Sequence, residues 1–472
     1  MKILFFNPCG FSLNNESRRL HNLACVMPPM GLAYCASVLR NFGYEVKIFD
    51  ASLEIEIDNN EWVKRILDFN PDILGITAIT SSFFNGYEIA EKIKHKKDSI
   101  KVVFGGVHVS WGKEIILKEY PAIDFVIAGE GEYSMLKLAK QEPYSQIEGL
   151  YYRDGNEIKH GPDMTLCEMD KLPFPAYDLL YGFPKKYQMP LFSYKKYPGA
   201  NIISSRGCIY QCSYCDRSVF GKGFRFNSPE YTFELCKYLY KNFGIRHINF
   251  YDDLFTVNRE RVARLCELIS KNKLNINFNC IVRLGHIDDE LIRLLKNAGC
   301  FMVNVGIESG DQEILNRHKA GLTLETIKRD IKKLTDAGLY VKGLFMMGFP
   351  GETEDSIKKT MDFALSLPLK DANITAFTPF PGAPITSKIS ELGEFDSDWR
   401  KMDCENFVFI PKEIGSKEKL EYYYKKFIKS FYQRKYMRKI YAKMLLECPH
   451  SYYRIFKNIF SFGTYAFSLN KK

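Results

Sequence analysis

Short apolar runs alternate with amphipathic stretches through residues 1–140 of the chain. Apolar runs of about 4–8 residues without polar alternation are typical of strands buried on both faces of a parallel sheet. The strand-like runs cover residues 3–7, 45–49, 72–79, 101–104 and 124–128, and the helix-like stretches cover residues 30–41, 87–95, 113–119 and 132–138. This alternation predicts a doubly wound parallel α/β sheet.

Residues 141–195 interrupt the alternation. They contain the turn signal YRDGN and the segment LPFPAYD, whose two prolines are incompatible with a regular helix or an inner strand. We therefore expect a linker over residues 141–195.

A second βα series begins near residue 196, and its strands are predicted at residues 200–205, 247–251, 276–282, 302–306, 339–346 and 372–377. Six such repeats indicate a partial (β/α)6 barrel of the TIM type over residues 196–390, with its chemistry at the carboxyl ends of the strands. Residues 391–472 are basic and rich in aromatic side chains, and they are predicted to be a helical C-terminal region.

The composition limits the class of protein. With 472 residues and 46% hydrophobic side chains, the chain can bury large cores. The net charge of +10 is modest for this length, so nucleic acid is not expected as a partner. Most of the 13 cysteines are scattered without a disulfide framework, so we expect a reducing, cytoplasmic location. The start, MKILFFNPCG, is interpreted as a strand rather than a signal peptide, and no membrane-spanning helix is expected.

The stretch SSRGCIYQCSYCDR carries the most informative spacing. Cys208, Cys212 and Cys215 form a C-x3-C-x2-C set at the end of the first barrel strand. Structural zinc sites and electron-transfer iron–sulfur sites take four protein ligands, and the next cysteine, Cys236, stands alone in a helical pattern. Three ligands leave one metal position open, which is typical of a catalytic centre. Structural zinc and three unrelated buried cysteines are the alternatives.

This motif, with the aromatic Tyr214 before its last cysteine, resembles that of the radical S-adenosylmethionine (SAM) enzymes. The resemblance implies that Cys208, Cys212 and Cys215 hold a 4Fe–4S cluster, that SAM chelates the fourth iron, and that Tyr214 lies against SAM. It also implies that the reduced cluster cleaves SAM to a 5′-deoxyadenosyl radical, with electrons from a reductant such as flavodoxin or ferredoxin.

Further segments at predicted strand ends resemble the family. In FYDDLF, Asp252 and Asp253 replace a family glutamate that meets the SAM amino group; the alternative is a pair of turn residues. In VGIESG, Glu308 and Ser309 match positions near the methionyl and ribose groups of SAM; the alternative is ordinary loop polarity. Arg283 could pair with the SAM carboxylate, or it could form a surface salt bridge.

The first domain, residues 1–140, resembles the cobalamin (B12)-binding domain that precedes the barrel in one radical SAM subgroup. The residues that carry the resemblance are Gly31 at the first helix, Thr77 after the third strand, Gly105, Gly106 and His108 after the fourth, and Gly129, Glu130 and Gly131 after the fifth. Ligands of open α/β sheets lie outside the carboxyl ends of the strands, where these segments are predicted.

One family feature is missing. The D-x-H-x-x-G segment, whose histidine ligates cobalt from below, is absent, and Pro28 stands where that histidine would be. No residue is therefore assigned as the lower cobalt ligand, and His108 is expected to support the nucleotide loop or to pack locally. A domain that keeps the fold but binds no corrin is the alternative, and a dinucleotide site is disfavoured because no G-x-G-x-x-G follows the first strand.

The resemblance implies that the radical abstracts a hydrogen from an unactivated carbon and that cobalamin then methylates it. The alternative reactions are ring closure, rearrangement or oxidation without methyl transfer. A non-catalytic iron–sulfur or cobalamin carrier is the third hypothesis, and the complete set of barrel-end residues argues against it. The substrate is expected to be a small or lipid-like molecule.

The C-terminal region suggests a location. Its basic residues are Lys419, Lys425, Lys426, Lys429, Arg434, Lys435, Arg438 and Lys439, and they alternate with the aromatic residues Tyr422, Tyr423, Tyr424, Phe427, Phe431, Tyr432 and Tyr436. Such a helix could lie on the inner face of an anionic membrane as a peripheral contact. Alternatively, the aromatic side chains cap the open barrel and the lysines face solvent.

Overall fold

Two sheets organise the chain, one in each of two units. The structure is a computed structural model that describes residues 1–10, 25–319 and 321–458. The first unit is drawn from residues 1–188, 216–222 and 399–403, and the second unit comprises the other described residues.

The first unit contains a sheet of the strands β1 (Lys2–Asn7), β2 (Glu45–Asp50), β3 (Ile73–Thr77), β4 (Lys101–Gly105), β5 (Phe125–Ile127), β6 (Leu150–Asp154) and β7 (Glu157–His160). Their order is β2-β1-β3-β4-β5-β6-β7; β1 to β5 are parallel, and β6 and β7 are antiparallel. Because the strand order reverses at β1, a ligand crevice is expected outside the carboxyl ends of these strands.

The α-helices of this unit are α1 (Met30–Asn41), α2 (Asn59–Phe69), α3 (Phe83–Lys96), α4 (Val107–Glu119, interrupted at Lys113) and α5 (Glu132–Ala139). Helix α2 begins at Asp58, whose carboxylate accepts from the backbone N–H of Glu61. Such a cap pairs an N–H group that the first turn leaves without a partner. The helix buries Trp62, which meets Phe6 of β1 edge to face at 5.5 Å between ring centroids.

Two features of the first unit differ from the sequence prediction. Residues 141–188, predicted as part of a linker, belong to the unit and contribute β6 and β7 to its sheet. The YRDGN signal is the hairpin turn between these strands, where Gly155 has a left-handed φ of 60°. Helix α2 is absent from the prediction, although Asp58 caps it and its buried residues Trp62, Val63, Ile66 and Phe69 recur at helical spacing.

The second unit contains a parallel sheet of the strands β8 (Gly199–Ile202), β11 (His247–Phe250), β12 (Asn277–Val282), β13 (Cys300–Glu308), β14 (Tyr340–Met347) and β15 (Asp371–Ala376). Its order, β15-β14-β13-β12-β11-β8, follows the chain and confirms the predicted partial barrel. Two antiparallel pairs accompany the sheet: β9 (Ser205–Arg206) with β10 (Arg225–Phe226), and β16 (Gly393–Phe395) with β17 (Phe409–Pro411).

The α-helices that accompany this sheet are α6 (Pro229–Phe243), α7 (Arg259–Lys271), α8 (Asp289–Asn297), α9 (Gln312–His318), α10 (Leu324–Asp336), α11 (Glu354–Ser366) and α12 (Ile389–Leu392). Helix α6 begins as its Ser-Pro pair predicts, with the Ser228 hydroxyl accepting from the N–H of Tyr231. In β13, Val305 and Ile307 are fully buried, whereas the alternating Gly306 and Glu308 are not. Alternation along a strand thus turns Gly306 away from the buried apolar face.

The C-terminal region forms α13 (Lys417–Tyr432), α14 (Lys435–Glu447) and α15 (Pro449–Lys457). Helix α13 buries Phe427, whose ring lies 5.5 Å from that of Phe345 in β14, and the hydroxyl of Tyr423 donates to Glu354 of α11. These aromatic side chains cover the barrel rather than face solvent. No helix within the described ranges is long and apolar enough to cross a membrane. Residues 459–472 of the predicted helical region lie outside the described residues.

Candidate active site

The three motif cysteines follow the first strand of the barrel. Strand β8 ends at Ile202, and Cys208, Cys212 and Cys215 lie in an irregular segment, residues 207–215, which we call the cysteine loop. Cys215 is exposed, Cys208 and Cys212 are half-buried, and all three are free thiols. The loop therefore presents three thiols at the carboxyl end of the sheet, where barrel enzymes place their chemistry.

Two of these thiols are in contact. The Cys215 thiol donates a hydrogen bond to the sulfur of Cys212, which lowers the pKa of Cys212 to about 6. The same hydrogen bond raises the pKa of Cys215, and burial raises the pKa of Cys208. Metals bind the thiolate rather than the thiol, so this hydrogen bond favours the binding form of Cys212.

The donors of the cysteine loop suit an iron–sulfur cluster. Each cysteine that holds a 4Fe–4S cluster binds a separate iron through its thiolate, and the loop presents three free thiols.

Asp252, which follows β11, is buried inside the second unit and forms several hydrogen bonds there. Its carboxylate is 1% exposed and accepts hydrogen bonds from the N–H and Oγ of Ser204, both at 2.7 Å, and from Ser205 Oγ at 2.6 Å. The buried guanidinium of Arg261 lies 3.7 Å away. Because a buried charge is stable only when it is paired and hydrogen-bonded, Asp252 has a structural position.

Asp253 differs from its neighbour. It is exposed, and one carboxylate oxygen accepts from the backbone N–H of Gly207 at 2.9 Å, at the start of the cysteine loop. Of the two predicted contacts to the SAM amino group, Asp253 is thus the accessible one.

Glu308 is paired with a lysine from the helix that follows it. Its Oε1 lies 2.7 Å from Nζ of Lys319, which also donates to the carbonyl of Gly306 at 2.8 Å. Glu308 has a left-handed φ of 65°, which is uncommon outside glycine. A Cβ on Gly306 would lie 2.5 Å from both Glu308 Oε1 and Lys319 Nζ, so the ion pair occupies space that only glycine leaves open.

Ser309 is buried and used internally. Its hydroxyl lies 3.0 Å from Oγ1 of Thr360 in α11 and accepts from the N–H of Asp311 at 3.1 Å. The residue is 0% exposed, so its hydroxyl stabilises the turn after β13 from inside the second unit.

Tyr214 lies within the cysteine loop, and Arg283 lies beside it. The ring of Tyr214 packs against Phe349 at 5.5 Å between centroids, and burial raises the pKa of its phenol. The guanidinium of Arg283 lies 3.8 Å from the ring centroid of Tyr210, which itself belongs to the loop. Such stacking fixes the plane of the guanidinium and suits it to pairing with a carboxylate.

The predicted cobalamin contacts lie at the carboxyl edge of the first sheet. They are Gly31 in the first turn of α1, Thr77 at the end of β3, Gly105 and Gly106 at the end of β4, and Gly129, Glu130 and Gly131 between β5 and α5. Gly106 has a φ of 102°, and a Cβ there would lie 2.7 Å from the carbonyl oxygen of Ala78. The backbone can take this path only with glycine. Glu130 is buried and accepts from the N–H of Cys167 at 3.0 Å.

His108 is enclosed by aromatic rings of the first unit. Its ring centroid lies 4.3 Å from that of Trp399 and 4.7 Å from that of Phe83. It is 1% exposed, neither ring nitrogen has a hydrogen-bond partner, and burial lowers its pKa to about 4. Neither nitrogen is open to a ligand in this conformation, which agrees with a packing position.

Several residues at these sites carry no readable sequence signal. His318 ends α9 and contacts the cysteine loop, and Lys319 follows the helix and contacts Glu308, although neither belongs to a readable motif. Trp399 packs on His108 from far along the chain. Sequence reasoning had no means to find such contacts, because they depend on which strands become neighbours.

Comparisons with known proteins identify the family. The "Radical SAM superfamily" profile matches residues 202–364, and the "B12 binding domain" profile matches residues 19–139. An uncharacterized methyltransferase of Pyrococcus horikoshii, PH0819, is 33% identical over 443 residues, covering 92% of this chain and 93% of that protein. The chain belongs to the radical SAM superfamily.

Two further similarities extend over most of this radical SAM enzyme. An anaerobic magnesium-protoporphyrin IX monomethyl ester cyclase of Rubrivivax gelatinosus is 25% identical over 454 residues, covering 94% of this chain and 79% of the cyclase. The solved structure of OxsB, a cobalamin-dependent SAM radical enzyme, has a TM-score of 0.72 at 18% identity, covering 96% of this chain and 72% of OxsB. The predicted family, fold and cofactors are thereby confirmed: a 4Fe–4S cluster and SAM for the barrel, and cobalamin for the B12-binding domain.

Proposed function

We propose that this radical SAM enzyme transfers a methyl group to an unactivated carbon of a small molecule. When bound, the reduced cluster and SAM supply a 5′-deoxyadenosyl radical, and cobalamin supplies the methyl group. The observation that carries the proposal is the similarity to the methyltransferase of P. horikoshii, which extends over nearly the full length of both chains. Ring closure without methyl transfer is the second candidate, because a cyclase is similar at lower identity.

In this proposal the cysteine loop binds the cluster. Cys208, Cys212 and Cys215 each donate a thiolate to one iron, and the lowered pKa of Cys212 reduces the cost of its deprotonation. Asp253, an exposed residue whose carboxylate lies beside the start of the loop, accepts the SAM amino group. Asp252 instead orders the backbone from which the loop starts.

Most of the remaining residues predicted to contact SAM do so through charged groups or through apolar packing. Glu308, held by Lys319, faces the methionyl or ribose group, and Arg283 pairs with the SAM carboxylate. Tyr214 forms an apolar wall, and Ser309 supports Glu308 without touching SAM.

In the first unit, the glycine-rich turns after β4 and β5 let the backbone approach cobalamin closely. We assign residues 1–188 to the cobalamin-binding domain and the barrel to SAM. His108 supports these turns by packing and does not ligate cobalt. An external reductant such as flavodoxin or ferredoxin supplies the electrons.

A peripheral membrane contact at the cytoplasmic face is proposed for α14 and α15. Leu446 is 87% exposed and Phe456 is 77% exposed, and Lys439, Lys443 and Lys457 lie on the same two helices. Exposed apolar side chains beside lysines favour anionic bilayers. Replacing Leu446 and Phe456 by glutamate should abolish co-sedimentation with anionic liposomes, and wild-type protein that stays in the supernatant would refute the contact.

The test of the reaction is anaerobic incubation of reconstituted enzyme with SAM, cobalamin and dithionite. We expect both 5′-deoxyadenosine and S-adenosylhomocysteine, because SAM serves as radical source and as methyl donor. Replacing Cys208, Cys212 and Cys215 by alanine should abolish 5′-deoxyadenosine. Formation of 5′-deoxyadenosine without S-adenosylhomocysteine would favour the cyclase-type reaction instead.

A further inference from the structure

Ser213, between the second and third cysteines of the loop, uses all of its hydrogen-bonding groups. Its N–H donates to the carbonyl of His318 at 3.2 Å, and its Oγ lies 2.9 Å from Nδ1 of the same histidine. Its own carbonyl accepts from the N–H of Ile385 at 3.1 Å. Ser213 is therefore a fixed point in a segment without regular secondary structure.

The tautomer of His318 follows from its second partner. Nε2 lies 2.9 Å from the carbonyl oxygen of Pro350. A carbonyl can only accept, so Nε2 carries the proton and Nδ1 accepts from the Ser213 hydroxyl. The imidazole is 7% exposed and stacks on Phe349, with ring centroids 4.8 Å apart and planes 17° apart.

These bonds connect segments that follow different strands of the sheet. The cysteine loop leaves β8 at one edge, whereas His318, Pro350 and Ile385 follow β13, β14 and β15, toward the other edge. The first part of the loop is held separately, because Gly207 donates to Asp253 after β11. His318 thus acts on the half of the loop that contains Cys212 and Cys215.

We propose that His318 is a positioning residue that holds Ser213, and with it Cys212 and Cys215, in the arrangement that binds the cluster. The inference rests on the proposed assignment of the three cysteines to the cluster. No proton transfer is assigned to His318, which acts through its two hydrogen bonds and its stacked ring. Radical SAM spacing alone specifies the cysteines and does not specify this contact.

The first arm of the test uses metal-free protein. His318→Phe keeps an aromatic ring beside Phe349 but removes both side-chain bonds, and Ser213→Ala removes one of them while leaving the imidazole in place. Alkylation of each cysteine is followed by peptide mass spectrometry. We expect Cys212 and Cys215 to react about tenfold faster in both variants, with Cys208 unchanged. His95→Asn, at an exposed histidine of α3, is the matched control and should match wild type.

The second arm uses reconstituted holoenzyme. Iron release to a chelator should be about tenfold faster in His318→Phe than in wild type. The double variant His318→Phe/Ser213→Ala should release iron no faster than His318→Phe alone, because both changes break the same contact. The electron paramagnetic resonance signal of the reduced cluster should also change its response to SAM.

Equal alkylation rates in wild type and variants would overturn the inference. Equal acceleration at all three cysteines would also overturn it, because it indicates general destabilisation of the protein. If wild type binds no iron, the cluster assignment fails, and the alkylation rates still decide whether His318 orders the loop. If His318→Phe does not fold, Ser213→Ala provides the same comparison of alkylation rates between Cys208 and the other two cysteines.

Discussion

The neighbouring residues Asp252 and Asp253 have different surroundings, and we expect their replacement to have different effects. Asp252→Asn should destabilise the second unit by roughly 3 kcal/mol, because Arg261 would lose its buried counter-charge. Asp253→Asn should cost less stability, because its amide oxygen can still accept from the N–H of Gly207, and it should weaken SAM binding instead. Thermal unfolding and calorimetric titration with SAM measure the two effects. The opposite pattern would show that Asp252 contacts SAM.

Gly306 is a second residue whose replacement separates stability from binding. Gly306→Ala would place a methyl group where Lys319 meets Glu308, so the ion pair must separate. We expect SAM affinity to fall about tenfold with unchanged iron content, because the cysteine loop is untouched. Lys319→Met should have the same effect on affinity. Full SAM affinity in both variants would remove Glu308 from the SAM site.

Glu352 makes stability depend on pH. Burial raises its pKa to about 8 from 4.5, against hydrogen bonds from the N–H groups of Gly348 and Phe349. The folded state therefore binds the proton more tightly than the unfolded chain, and stability falls as pH rises from 4.5 to about 8. The slope is at most about 1.4 kcal/mol per pH unit.

Glu352→Gln keeps the acceptor oxygen and removes the titration. The melting temperature of this variant relative to wild type should rise with pH across the window and stay constant above it. A difference that does not depend on pH would mean that Glu352 is ionised in the folded protein throughout.

At the level of elements, the sequence predicted strands better than connections. The barrel strands were predictable because they are short, mostly apolar runs. The assignment of the three cysteines to a cluster rests on their spacing and stays a prediction. Strands β6 and β7 were missed because the flanking prolines suggested a linker, although the hairpin turn was visible. His318 could not be predicted as a contact of the cysteine loop, since that contact exists only once β8 and β13 share a sheet.

Helix α13 provides a test of the barrel cap. Phe427→Ala should destabilise the second unit by about 3–5 kcal/mol, because a ring that is 1% exposed is removed from beside Phe345. Tyr422→Ala, at a side chain that is 57% exposed, is the control and should change stability by less than about 0.5 kcal/mol. Chemical unfolding followed by near-ultraviolet circular dichroism measures both. Equal, small effects would show that α13 does not stabilise the barrel.

At the scale of the whole molecule, the order of the two units is the feature that the sequence revealed most directly. A doubly wound sheet precedes a parallel half-barrel, and the two family profiles match these parts in the same order. The boundary was less predictable: the first unit continues to residue 188 and also includes residues 216–222 and 399–403, which only folding brings to it.

The proposed reaction requires that this chain bind a three-cysteine cluster together with cobalamin. Anaerobic reconstitution followed by quantification of iron, sulfide and corrin tests it most directly. We predict about four irons and one corrin per chain in wild type, and loss of iron with retention of corrin when Cys208, Cys212 and Cys215 are replaced by alanine. Zinc in place of iron, or iron that persists in the triple variant, would show that these cysteines do not hold an iron–sulfur cluster.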